Sequence, residues 1–126
     1  MSKTLFVSTV FEDSKKIESI QKWAKEKRLG DLAITSETKD KRSIGKEAIK
    51  QHISDKIRGC SAVAVLVGKD THNHDWIEAE VELANSFHKP IICMRLPNTT
   101  GAVPSILKNH DTINFDPDSL KRALKR

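Results

Sequence analysis

The sequence predicts a flavodoxin-like, three-layer α/β fold: a five-stranded parallel sheet of order 2-1-3-4-5 with helices on both faces. Three observations point to it. Short apolar runs alternate with longer stretches of helical periodicity along the whole chain, with no internal repeat. Residues 61–67, Ser-Ala-Val-Ala-Val-Leu-Val, are apolar at nearly every position, as a central parallel strand covered on both sides should be. The length, 126 residues, suits a single domain around one core spanning 1–126.

The elements follow in order. Residues 4–8 open the chain as a strand of apolar and β-favouring residues. Ser14 is placed to cap a helix in which Ile17, Ile20, Trp23 and Ala24 recur at helical spacing, and Gly30 is placed to close it as the C′ glycine. Residues 32–35 make a second strand, and the polar stretch 36–42 a loop. A helix is expected from Ser43, with Ile44, Ala48, Ile49, His52, Ile53 and Ile57 on one stripe and Gly59 at its end. After the central strand, Gly68 breaks the run. Asp75-Trp76-Ile77-Glu78 then matches a capping box, Asp75 as N-cap and Glu78 reaching back, for a helix to about Phe87. Residues 90–96 form a fourth strand and 97–110 an irregular stretch. Residues 112–115 form a weak fifth strand, and a closing helix has Pro117 at N1.

Composition excludes several classes of function. No apolar run approaches the ~20 residues a bilayer-crossing helix needs, and the N-terminus enters a strand without the h-region of a signal peptide. A cytoplasmic location is expected, and Cys60 and Cys93 beside apolar runs are expected as reduced, buried thiols. The net charge of +5 comes from dispersed lysines and arginines: Lys15, Lys16, Lys22, Lys25, Lys27 and Arg28 on an early helix, and four more in the tail. None are interleaved with aromatics, so solvated helix faces are preferred over a nucleic-acid surface. His72 and His74 have no third ligand at suitable spacing, so no metal site is expected. There is no Gly-rich phosphate loop or nucleophile elbow, and the chain has Ser8-Thr9 where a phosphoacceptor receiver domain would carry paired acids.

The sharpest anomaly is Glu80. At about 100° per residue along the third helix, Ile77, Ala79, Leu83, Ala84 and Phe87 share an apolar sector with Trp76. Glu78, Glu82, Asn85 and Ser86 fall opposite, whereas Glu80 falls inside the apolar sector. A carboxylate aimed at a packed face is costly unless it is paired or lines a cavity. Snorkelling, or an ion pair with a lysine across a helix contact, is the structural alternative. In doubly wound sheets ligands bind outside the carboxyl ends of the strands, which favours a functional role for a glutamate in the second turn of this helix.

These same residues carry a family resemblance. Leu5-Phe6-Val7-Ser8, the strand from Val63 to Gly68, Asp75-Trp76-Ile77-Glu78-Ala79-Glu80 with its Trp-x-x-x-Glu pattern, and Lys89-Pro90-Ile91-Ile92 resemble, in this order, the TIR-like proteins of bacterial Thoeris anti-phage systems. The resemblance implies that Glu80 is required to cleave the nicotinamide N-glycosidic bond of NAD, as substrate and with no other cofactor. The product would be ADP-ribose or a cyclic isomer, a signal that activates a separate effector. It implies self-association with other TIR-like subunits as well. Ser8, Thr9, Phe11, Lys41, Arg42, His74 and Trp76 are the candidate substrate contacts, with Lys41 and Arg42 placed to meet a pyrophosphate and Trp76 to wall the site. The short loop at 36–42 lacks the proline-containing signature of adaptor TIR domains, so receptor-style signalling is not expected. Two alternatives remain on the same architecture: a nucleoside deoxyribosyltransferase-like N-glycosidic enzyme, and a non-catalytic nucleotide- or TIR-binding module.

Overall fold

The computed structural model describes residues 3–9, 15–30, 32–36, 46–68, 75–97, 99, 107, 110 and 112–124. The side chains of Lys46, Glu47, Ile49, His52, Asp75 and Trp76 fall outside that description. Strands β1 (Lys3–Ser8), β2 (Leu32–Ser36), β3 (Ala62–Val67), β4 (Ile91–Arg95) and β5 (Thr112–Asn114) alternate with helices α1 (Lys16–Lys25), α2 (Lys46–Arg58), α3 (Asp75–Ser86) and α4 (Pro117–Leu124). The sheet is parallel throughout and ordered β2-β1-β3-β4-β5, as the sequence predicts.

Two apolar layers enclose it. Leu5, Val7, Ala62, Ala64, Leu66, Ile92 and Met94 face Ile17 and Ile20 of α1 and Leu120 of α4. Phe6, Val63, Val65, Val67 and Cys93 face Ile53 and Ile57 of α2 and Ile77, Ala79, Val81 and Ala84 of α3. The period-2 alternation of the strands sorts the side chains, and every residue of β3 is buried because both of its faces are covered. Trp23 of α1 lies half-buried on the first layer, its ring centroid 4.9 Å from that of Phe115.

Helix ends account for the main departures from expectation. Helix α1 stops before Gly30. The Lys27 amide donates to the Ala24 carbonyl (3.1 Å) and the Arg28 amide to the Trp23 carbonyl (2.9 Å), with Lys27 at φ 65°. That is a Schellman closure on a lysine; Gly30 also has a positive φ, but in the following turn. Helix α3 closes the same way: His88, at φ 58°, donates to Asn85 (3.1 Å) and Lys89 to Ala84 (2.8 Å). At the other end of α1 the capping position is Lys15, which makes no side-chain cap bond; Ser14 lies outside the described residues, as do Ser43 and Ile44. Helix α2 begins at Lys46, and Ala48, expected on its apolar stripe, is exposed, while Ile53 and Ile57 are buried as expected. Helix α3 is described from Asp75, and the Asp75 side chain, on which the expected capping box depends, lies outside the described residues. Pro117 opens α4 as expected. Asp116 caps it, its Oδ1 accepting the Ser119 amide (2.8 Å) and its Oδ2 the Ser119 hydroxyl (2.8 Å).

Cys60 and Cys93 are both buried free thiols, and burial raises the pKa of each above the ordinary thiol value. The strand register pairs Cys93 with Val65, while Cys60 precedes β3, which keeps the two thiols apart. Among the described residues, no helix is long and apolar enough to cross a membrane, and no cluster of potential ligands could hold a metal ion.

Candidate functional site

The sheet's register assembles polar groups at one place. Ser8 ends β1 and pairs with Val65; Arg95 ends β4 and pairs with Val67 on one side and Asn114 on the other. In a parallel sheet, paired residues share a face, and alternate residues along a strand do too. Ser8 therefore lies on the face of Phe6, and Arg95 on the face of Cys93, which is the face covered by α2 and α3. The serine is 1 % exposed and Thr9, just beyond the strand, 4 %. The Ser8 hydroxyl is enclosed, and no described residue hydrogen-bonds to it. A buried hydroxyl without a protein partner is a costly feature in a packed core and an ordinary one where a ligand or water completes it.

Helix α3 carries three glutamates with three environments. Glu78 is exposed. Glu82, expected to face solvent, is half-buried instead, because α2 packs along that flank and Lys50 meets it at 2.6 Å. A lysine contact across the pair of helices is thus seen at Glu82. Glu80 itself is 3 % exposed, in line with the helical projection. It keeps a polar or electrostatic contact within the fold, although its Oε2 atom is sealed from solvent and accepts no hydrogen bond from a described residue. Its neighbours on the helix, Ile77, Ala79, Val81 and Ala84, are all buried against the sheet. One buried carboxylate in an apolar wall, on the layer that also receives Ser8 and Arg95, is a setting in which a fixed negative charge acts at low effective dielectric.

This arrangement, a doubly wound sheet with a buried glutamate in the second turn of the helix that follows its central strand, coincides with a family match over residues 6–101 to the Thoeris protein ThsB, TIR-like domain. The chain belongs to that family. The matched segment of this TIR-like chain runs from the second half of β1 through β4 and takes in the whole of α3. No curated protein matches it in sequence. Among solved structures, the 2-desoxiribosyltransferase from Leishmania mexicana superposes with a TM-score of 0.64 at 12 % identity, covering 98 % of both chains. A 3-dehydroquinate dehydratase-like protein from Bifidobacterium longum superposes at 0.51 and 17 %, covering 99 % of this chain and 94 % of its own. At such identities the likeness is one of fold.

The TIR-like chain thus brings Ser8 and Thr9 to the carboxyl edge of the sheet and buries Glu80 on the adjoining helix. Trp76 occupies the first turn of α3, but its side chain falls outside the described residues. Phe11, Lys41, Arg42 and His74 also lie outside them, together with His72. Arg95 is the residue that sequence reasoning missed. The available signal was a cation closing an otherwise apolar strand, Ile-Ile-Cys-Met-Arg, at the end where ligands bind.

Proposed function

We propose that this TIR-like protein is an NAD-cleaving enzyme of an anti-phage defence system, with Glu80 as its catalytic carboxylate. The observation that supports it most is the near-complete burial of Glu80 in the second turn of the helix that follows β3, within a chain of the Thoeris TIR-like family. In the reaction, the bond between ribose C1′ and the nicotinamide nitrogen breaks with its electron pair going to the pyridinium ring, so nicotinamide departs neutral. The ribose carbon takes on oxocarbenium character. A carboxylate held beneath it stabilises that charge or orients the ribose hydroxyls. One carboxylate suffices because the pyridinium needs no proton to leave. Water attacking C1′ gives ADP-ribose and a proton; capture by a nucleophile of the same molecule gives a cyclic isomer. In this reading the product is the signal that a separate effector receives, and assembly with other TIR-like subunits completes the site. The substrate contacts would be Ser8, Thr9, Phe11, Lys41, Arg42, His74 and Trp76.

A deoxyribosyltransferase-like reading employs the same helix-borne carboxylate on a deoxynucleoside, and the shared fold with the Leishmania mexicana protein keeps it in view. Incubating the protein with NAD and, separately, with a deoxynucleoside and a free base, followed by chromatography, separates the two. Release of nicotinamide alone supports the proposal; base exchange alone replaces it. A binding module without turnover would leave Glu80→Gln unchanged in every functional readout.

A further inference from the structure

Of the residues that end the five strands, Ser8, Ser36, Val67, Arg95 and Asn114, only Arg95 is charged. Its place in the register puts it on the α3 face, next to Val67 of β3 and two residues beyond Cys93. Its charge acts on the Cys93 thiol, opposing the upward push of burial, so the cation lies close to this face of the sheet. The side chain is half-buried. On a strand, side chains lean along the strand direction, here toward the carboxyl edge. An arginine at that edge has five N–H donors in a planar fork, so a contact within the fold still leaves donors for a ligand.

We propose that Arg95 is the phosphate-recognising residue of the Glu80 site, restricting it to phosphate-bearing nucleotides over bare nucleosides. This rests on the reading of Glu80 as the centre of a nucleotide site. The guanidinium donates to two phosphate oxygens at once through charge-assisted bonds. It would hold the anionic part of the ligand at the end of β4 while the ribose meets the carboxylate on α3. Spacing along the sheet supports that division: β4 lies beside β3, and β3 lies beside β1 with Ser8. A nucleoside lacking phosphate has nothing to offer this cation, so selectivity follows from charge as well as shape.

The test is equilibrium calorimetry on the full chain with two probes, ADP-ribose and adenosine. The wild-type protein should bind ADP-ribose the more tightly, with an affinity that falls as salt rises. Arg95→Ala and the size-preserving Arg95→Gln should weaken ADP-ribose at least tenfold, leave adenosine unchanged and flatten the salt dependence; Arg95→Lys should recover part of the loss. Circular dichroism identifies which variants fold, and Arg95→Gln carries the test if the alanine variant does not. Absence of ADP-ribose binding by the wild type, or equal ADP-ribose affinity in wild type and Arg95→Gln, overturns the inference. Nicotinamide release is measured separately. Turnover that persists with Arg95-independent binding overturns only the role of Arg95, while Arg95-dependent binding without turnover overturns only the NAD-cleaving reading.

Discussion

The two faces of the sheet differ in one respect. Facing α1 and α4, the three central strands are apolar to their carboxyl ends, Val7, Leu66 and Met94 continuing the pattern of Leu5, Ala64 and Ile92, while the edge strand β2 ends in Ser36 beside Val7. Facing α2 and α3, Phe6, Val63 and Ile91 pack as apolar residues, yet β1 ends in Ser8 and β4 in Arg95, and α3 adds Glu80. On this first face the central strands are cohesive from end to end. The other holds the buried polar side chains Ser8 and Glu80, with Ser8 at the carboxyl edge, where a doubly wound sheet binds ligands. A protein that stores polar groups in one corner of its core accepts a local stability cost there, and the usual reason is a ligand.

Substitutions can break or sharpen that contrast. The largest effect is expected on the cohesive face. Leu66→Ala, at a fully buried position, should cost about 2–5 kcal/mol in denaturant unfolding through lost transfer energy and the cavity left behind. Asp116→Ala removes the cap of α4 and should cost about 1 kcal/mol. The Ser119 amide holds the Asp116 carboxyl below the usual carboxylate range. A folded-state value below the unfolded one stabilises above the unfolded value and loses that contribution as pH falls through the folded one. The stability gap between wild type and Asp116→Ala should therefore be full at neutral pH and close in acid. On the polar face, Ser8→Ala should change stability by less than about 1 kcal/mol in either direction, because the hydroxyl has no described partner to lose; a large loss would mean that the hydroxyl is structural. The smallest effect is a gain. His88→Gly relieves a left-handed C′ residue and should add about 0.5–1 kcal/mol in the same unfolding measurement.

The strand order was legible from the alternation of strand and helix with five strands, and the run Ala-Val-Ala-Val-Leu-Val marked the central strand, buried on both sides. Periodicity was enough to separate Glu80 from Glu78, since a helix projects residues at a fixed angle. It misplaced Glu82 because a helical projection describes one helix and not the neighbour that covers its flank; Lys50 of α2 supplies that neighbour. The end of α1 was misplaced because glycine is the favoured C′ residue, whereas two backbone bonds hold Lys27 in the same conformation. Arg95 was passed over because the face of a strand's last residue depends on register, which only pairing with β3 reveals. The candidate contacts Phe11, Lys41, Arg42 and His74 fall in connecting segments, where hydrophobic periodicity carries no positional information.

The central claim is that the buried carboxylate of α3, and not either of its neighbours, does chemistry on NAD. Nicotinamide release should be followed for the wild type and for Glu78→Gln, Glu80→Gln and Glu82→Gln under identical conditions, with folding checked by circular dichroism. The expected result is a loss of about 10²–10³-fold or more for Glu80→Gln, the scale of removing one preorganised electrostatic stabiliser, with Glu78→Gln and Glu82→Gln near wild type. A folded Glu80→Gln variant that releases nicotinamide at the wild-type rate would contradict it.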